Sequence, residues 1–183
     1  MIAARQLGKV GKVTIDIRRA VGDDLPDIAR VVVDSWRSTF AGILPAAFLD
    51  GMSYDHQQQR HERMLARADV IYYVTVHPVE GIIGFASGGP TRHGGFPQQN
   101  EVYAIYLLPA YQRQNLGSLL FRNVVSDLKS SGRAGLAVFA LSSNPNRDFY
   151  KRFGGRETAA PPIAIGDLTV DQTAYVWEDI AFT

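Results

Sequence analysis

The sequence predicts an α/β domain, and three stretches carry that expectation. Residues 101–108 are rich in aromatic and aliphatic side chains, the composition of a buried strand. Beyond a polar run, Leu116, Leu119, Leu120, Val124 and Leu128 recur at three- and four-residue spacing and mark one apolar helix face. Residues 136–141 are again apolar throughout, a second buried strand. Strands alternating with an amphipathic helix of this kind belong to sheets that carry helices on their faces.

Composition narrows the class. At 183 residues, 46% hydrophobic and 20% charged, the chain is long enough for one domain with a substantial core. Residues 13–183 are read as that domain. Residues 1–12 lack the apolar centre of a secretion signal and are read as a flexible N-terminal arm. The formal net charge of +1 supplies no bulk basic field, so neither nucleic acid nor an anionic membrane is expected as a partner. The chain has no cysteine, which excludes disulfides, cysteine-bearing zinc sites and a cysteine nucleophile. That composition is compatible with a reducing cytoplasm, the expected location. No apolar run approaches the roughly 18 residues that a membrane helix requires.

In chain order, residues 13–19 alternate apolar and polar and predict a first strand. Asp23 and Asp24 offer an N-cap, and Pro26 suits a first helical turn. Leu25, Ile28, Ala29, Val32, Val33 and Trp36 then give an amphipathic helix ending near Trp36. A second helical region holds Phe48, Leu49 and Met52, followed by a polar run over residues 54–67. His56 and His61 in that run are five residues apart with no carboxylates at fitting spacing, so they predict a solvated helix face rather than a metal site. Residues 70–76 and 82–87 predict a hairpin about the turn at 77–81, and Gly88-Gly89-Pro90 ends its second strand. The loop over residues 91–100 carries His93, read either as simply exposed or as a substrate contact or proton acceptor. Residues 173–180 predict a closing strand.

Chemistry concentrates at the junction between the strand at 101–108 and the helix after it. Pro109 stops the strand, and the helix presents unpartnered N–H groups and its positive dipole end to the turn, an anion site. The chain contains neither a Gly-x4-Gly-Lys-Ser/Thr loop nor a dinucleotide fingerprint after a strand. What stands here is Gln112-x-x-Asn115-x-Gly117, in which Asn115 replaces a glycine of a Gln/Arg-x-x-Gly-x-Gly/Ala pattern. Asparagine tolerates positive φ better than most residues, so the turn is expected to survive. A second motif, Asn144-x-x-Arg147-x-Phe149-Tyr150-x-x-x-Gly154, follows the strand at 136–141.

Together these two motifs resemble the GNAT superfamily of N-acetyltransferases, in the right element order over most of residues 13–180. The resemblance implies a mixed, mostly antiparallel central sheet with helices on both faces, whose central strands splay to admit acetyl-coenzyme A. It implies coenzyme contacts from Ile105, Tyr106 and Leu107, from the loop residues Gln112, Arg113, Gln114, Asn115, Leu116, Gly117 and Ser118, and from Asn144, Asn146, Arg147 and Tyr150. It also implies an acceptor pocket at the link after the first helix, where Trp36, Arg37, Thr39 and Phe40 gather. The alternative for these four is an aromatic plug at the helix end.

The implied reaction is direct transfer of the acetyl group to an amine in a ternary complex, without a metal. Tyr150, protonated at neutral pH, is expected to donate a proton to the departing thiolate. Glu101, eleven residues before Gln112, is expected to act as base, with an ordinary strand-end role as its alternative. The acceptor, a small amine or a peptide or protein amine, is left open, as is a homodimer, which is frequent in the family. Two other classes remain: a GNAT-like module that binds acyl-coenzyme A without transfer, and an interaction domain that binds no coenzyme.

Overall fold

The computed structural model describes residues 6–10 and 13–180. The strands are β1 (Gln6–Val10), β2 (Val13–Arg19), β3 (Ile71–His77), β4 (Gly81–Pro90), β5 (Asn100–Leu107), β6 (Leu136–Leu141), β7 (Arg156–Ala159), β8 (Ile163–Ile165), β9 (Leu168–Val170) and β10 (Gln172–Trp177). The helices are α1 (Leu25–Thr39), α2 (Ala46–Asp50), α3 (Tyr54–Leu65) and α4 (Leu116–Lys129). Eight strands form one sheet in the order β1-β2-β3-β4-β5-β6-β10-β7, and β8 pairs with β9 as a separate hairpin. All neighbours in the large sheet are antiparallel except β5 and β6. That parallel step follows from the crossover, since α4 carries the chain back to the start of the sheet.

Two expectations are corrected here. The segment read as a flexible arm contains β1, which pairs antiparallel with β2 from Gln6↔Ile17 to Val10↔Val13. The remaining residues of that segment lie outside the described residues. Asp24 holds the N-cap position of α1, yet its side chain does not cap the helix. It accepts from Arg18 at 2.6 and 2.8 Å and from the Val21 N–H at 2.8 Å, tying β2 to the helix start.

Strand alternation sorts the core into two layers. Tyr72, Val74 and Phe85 point to one face, where they bury Ile28, Val31 and Val32 of α1. Tyr73, Ala86 and Val102 point to the other and meet Leu120, Phe121, Val124 and Leu128 of α4. Helix α3 packs on α1 and reaches the same face of the sheet, where His61 meets the rings of Tyr72 and Phe85.

The α4 layer approaches the sheet closely at Gly88, beside a register shift between Ser87 and Gly88 in the β4–β5 ladder. A Cβ at this position would stand 2.8 Å from both Glu101 O and Val124 Cγ1. Neither a strand carbonyl nor a packed helix side chain yields easily. We predict that Gly88→Ala lowers stability by about 1–3 kcal/mol, read as a lower denaturation midpoint in urea; an unchanged midpoint would mean that the helix is not packed this tightly.

Candidate functional site

Strands β5 and β6 pair only at Asn100↔Leu136, Glu101↔Ala137 and Val102↔Val138. Past Val102 they diverge, so residues 104–107 keep their ladder to β4 and have no strand on the other edge. The Leu108 N–H donates to Ile83 O at 2.9 Å, toward β4. By alternation, the backbone groups of Leu107 and Ile105 face the open side. The Leu107 carbonyl already accepts from Gln112 Nε2 at 3.0 Å. A wedge-shaped gap with unpaired strand edge is thereby built into the middle of the sheet.

The loop leading from this edge into α4 has an unusual backbone. Arg113 and Asn115 both take positive φ, 61° and 65°. Asn115 is the residue before the helix and does so without a glycine, as its side-chain type allows. Such a turn gathers successive N–H groups on one concave side. Among the described residues, no N–H from Arg113 to Ser118 finds a backbone partner, whereas the Gln112 N–H bonds to Pro109 O at 3.2 Å. The loop therefore has free donors at a helix N-terminus, the requirements for holding phosphate.

Beside the wedge lies a cavity of about 240 Å³. Trp36 and Phe40 of the α1 end, Tyr106 of β5, Phe139 of β6 and Tyr150 line it, and Ile163 and Ile165 of the β8–β9 hairpin close it. Trp36 Nε1 donates to Tyr106 Oη at 2.8 Å, fixing both rings. Tyr150 sits on the 3-10 helix Arg147–Phe153, packed against Tyr175 at 5.3 Å between ring centroids. Burial raises its pKa above the ordinary tyrosine value, so the phenol holds its proton throughout the neutral range.

Helix α3 supplies a wall that the sequence analysis did not anticipate. Gln57, Arg60, His61 and Met64 follow one another at helical spacing and all line the cavity. His61 is 7% exposed, which corrects its reading as a solvated residue; His56 is indeed exposed. Burial, aided by the neighbouring Arg60 charge, pushes the His61 pKa down to about 4. Its Nδ1 lies 2.9 Å from Tyr72 Oη, and burial pushes that phenol up to about 12. The pair is therefore neutral at physiological pH. The missed signal was the spacing: His61 lies three and four residues before Met64 and Leu65, which mark the inward face. Among the described residues, no group of histidines and carboxylates suits a metal.

Several expected residues are placed differently from one another. Trp36 and Phe40 reach the cavity, whereas Arg37 and Thr39 do not line it. Arg37 instead donates to the carbonyls of Leu49, Asp50 and Met52, each at 3.1 Å, pinning the chain after α2. Glu101 is fully buried and does not line the cavity. Its carboxylate receives the Arg92 guanidinium and, at 2.8 Å, the Arg92 N–H. Arg92 in turn lies 4.0 Å over the Tyr103 ring, so the pair anchors the loop over residues 91–99. His93 on that loop lines the cavity and stacks on Phe139 at 3.7 Å. Asn144 lines it too, with Oδ1 accepting from the Asn146 N–H at 2.9 Å. Arg147 reaches Thr173 Oγ1 at 3.1 Å beside Glu157.

Comparison with known proteins agrees with this geometry. The profile described as Acetyltransferase (GNAT) family matches residues 33–155. The chain is 29% identical over 167 residues to an uncharacterized N-acetyltransferase, YuaI, of Bacillus subtilis strain 168, covering 91% of this chain and 95% of that one. Solved structures share the fold at lower identity. PaiA N-acetyltransferase of Thermoplasma acidophilum, in complex with coenzyme A, aligns with a TM-score of 0.66 at 18% identity over 89% of this chain and 99% of the other. YncA of Salmonella typhimurium, a putative acetyltransferase with acetyl-coenzyme A, aligns at 0.65 and 19% identity over 90% and 93%. Split sheet, glycine-free turn and family profile coincide over the same residues, and the chain belongs to the GNAT family of acetyltransferases.

Proposed function

We propose that this protein transfers the acetyl group of acetyl-coenzyme A directly to an amine held in the cavity. The observation that carries the reading is the junction of an open strand edge at residues 104–107 with a loop of free N–H donors at residues 113–118. A pantetheine chain with its amide groups suits the first, and a pyrophosphate suits the second. Both solved relatives named above contain coenzyme A or its acetyl ester. Ile105, Tyr106 and Leu107 would bind the pantetheine arm. Arg113, Gln114, Asn115, Leu116, Gly117 and Ser118 would hold phosphate through their backbone, and Gln112 would brace the loop through its bond to Leu107. Asn144, Asn146 and Arg147 would form the far side.

In the reaction, the amine nitrogen attacks the thioester carbonyl carbon and the C–S bond breaks. Tyr150, kept protonated by burial, gives its proton to the sulfur and regains one from solvent. The proton lost by the amine passes to water. Glu101 is already engaged by Arg92, so it positions the 91–99 loop rather than taking that proton itself. The products are an N-acetylated amine and free coenzyme A. Without cysteine an acyl-enzyme has no thiol nucleophile, which favours direct transfer.

Thermal unfolding tests the coenzyme assignment. Ligand at about 100 times its dissociation constant adds roughly 2.7 kcal/mol, a rise on the order of 5–10 °C for a chain of this length. Asn115→Glu, which puts a carboxylate at the phosphate loop, should abolish the rise. No shift of the unaltered protein in millimolar acetyl-coenzyme A would sink the reading.

A further inference from the structure

We propose that the acceptor is an amine bearing a carboxylate beside an apolar or aromatic body, as in a large hydrophobic α-amino acid, and that Arg60 recognises the carboxylate. The proposal rests on the transferase reading and deepens it. The charge of the cavity wall carries it. No aspartate or glutamate lines the cavity, whereas two arginines do. Arg92 is balanced by the buried Glu101. His61 and Tyr72 are neutral together. Among the described residues, Arg60 is an exposed residue with no carboxylate partner, and it lines the cavity together with His61, Tyr72 and Tyr106. The site thus carries one positive charge without an ion-pair partner and no carboxylate to receive a second ammonium.

The rest of the wall fits the same class of molecule. Trp36, Phe40 and Phe139 offer aromatic faces, and about 240 Å³ suits a metabolite better than a protein segment. Three residues before Arg60, Gln57 has a buried Oε1 with no hydrogen-bond partner. It offers an acceptor to the amine while Arg60 takes the carboxylate, a two-point grip along a single helix face. A polyamine or aminoglycoside would instead bring several cations to a positive wall.

The test uses the full chain, with L-phenylalanine, 2-phenylethylamine and spermidine as acceptors, and follows thiol release and calorimetric binding to the coenzyme A-loaded protein. The expected result is a kcat/KM for L-phenylalanine at least about 30-fold above that for 2-phenylethylamine, with spermidine the poorest. Arg60→Gln should raise KM for L-phenylalanine about tenfold or more while leaving 2-phenylethylamine within about twofold, and Arg60→Glu should reverse the order. Equal or better use of either cationic acceptor, or equal losses on all three in Arg60→Gln, would overturn the proposal while leaving the transferase reading intact. L-Phenylalanine binding that depends on Arg60 without thiol release would support the anion site and sink the transferase reading. Absence of L-phenylalanine binding would overturn the proposal.

Discussion

Tyr150→Phe is expected to lower the rate of thiol release by about 100-fold or more, while the thermal shift with acetyl-coenzyme A stays at its unaltered size. The two readouts separate because the substitution removes one oxygen and keeps the ring. The ring packs against Phe121, Phe149 and Tyr175 at centroid distances of 6.2, 5.3 and 5.3 Å, so the fold and the wedge beside it are retained. The hydroxyl has no hydrogen-bond partner among the described residues, and no internal bond is lost. A thiolate leaving without a proton donor, in a site partly closed to water, meets the full cost of its charge. Single-turnover measurement at pH 7 gives the answer directly. A loss of less than about threefold would make Tyr150 a packing residue and move the acid elsewhere.

The second large effect is on stability in mild acid. His61 is held near a pKa of about 4 in the folded chain against 6.5 when free. Between those values the unfolded chain binds a proton that the folded chain refuses, so stability falls as pH drops through this window. It is fully present above 6.5. Between pH 7 and 4.5 the loss should reach about 2–3 kcal/mol, or about 5–10 °C in Tm. His61→Gln can still bond to Tyr72 and cannot titrate, so its Tm should be nearly flat over the same range. Equal slopes for the two proteins would show that His61 is not buried neutral.

The contrast between Tyr150 and His61 also marks how much could be read from sequence. The strand–turn–helix at the centre was legible because its apolar period is regular and its turn chemistry local. Asn115 at a φ of 65° is the direct outcome of that local rule. The two central strands were legible for the same reason, whereas the motif around Tyr150 stood out only through its resemblance to a family pattern. The cavity wall was not. Gln57 and Gln172 stand on one cavity although most of the chain separates them, and no local period announces such a meeting. His61 was misjudged because polar residues dominate its helix, and only Met64 and Leu65 betray the buried side. Glu101 was placed by spacing alone, and spacing carries no information about Arg92, whose loop folds back onto it. The β1 segment lay below notice because five residues of mixed polarity form a strand only when an edge is offered to them.

Because α3 lies beside α1 on one face of the sheet and α4 covers the other, the proposed acceptor wall and the proposed phosphate loop stand on different elements. On the proposed reading, substitutions along Gln57, Arg60 and Met64 would retune what is acetylated without touching the backbone turn at Arg113 and Asn115. Changes at such distant, independent places add rather than interfere. A lineage with this architecture is free to explore new acceptors one helix face at a time while its donor stays the same.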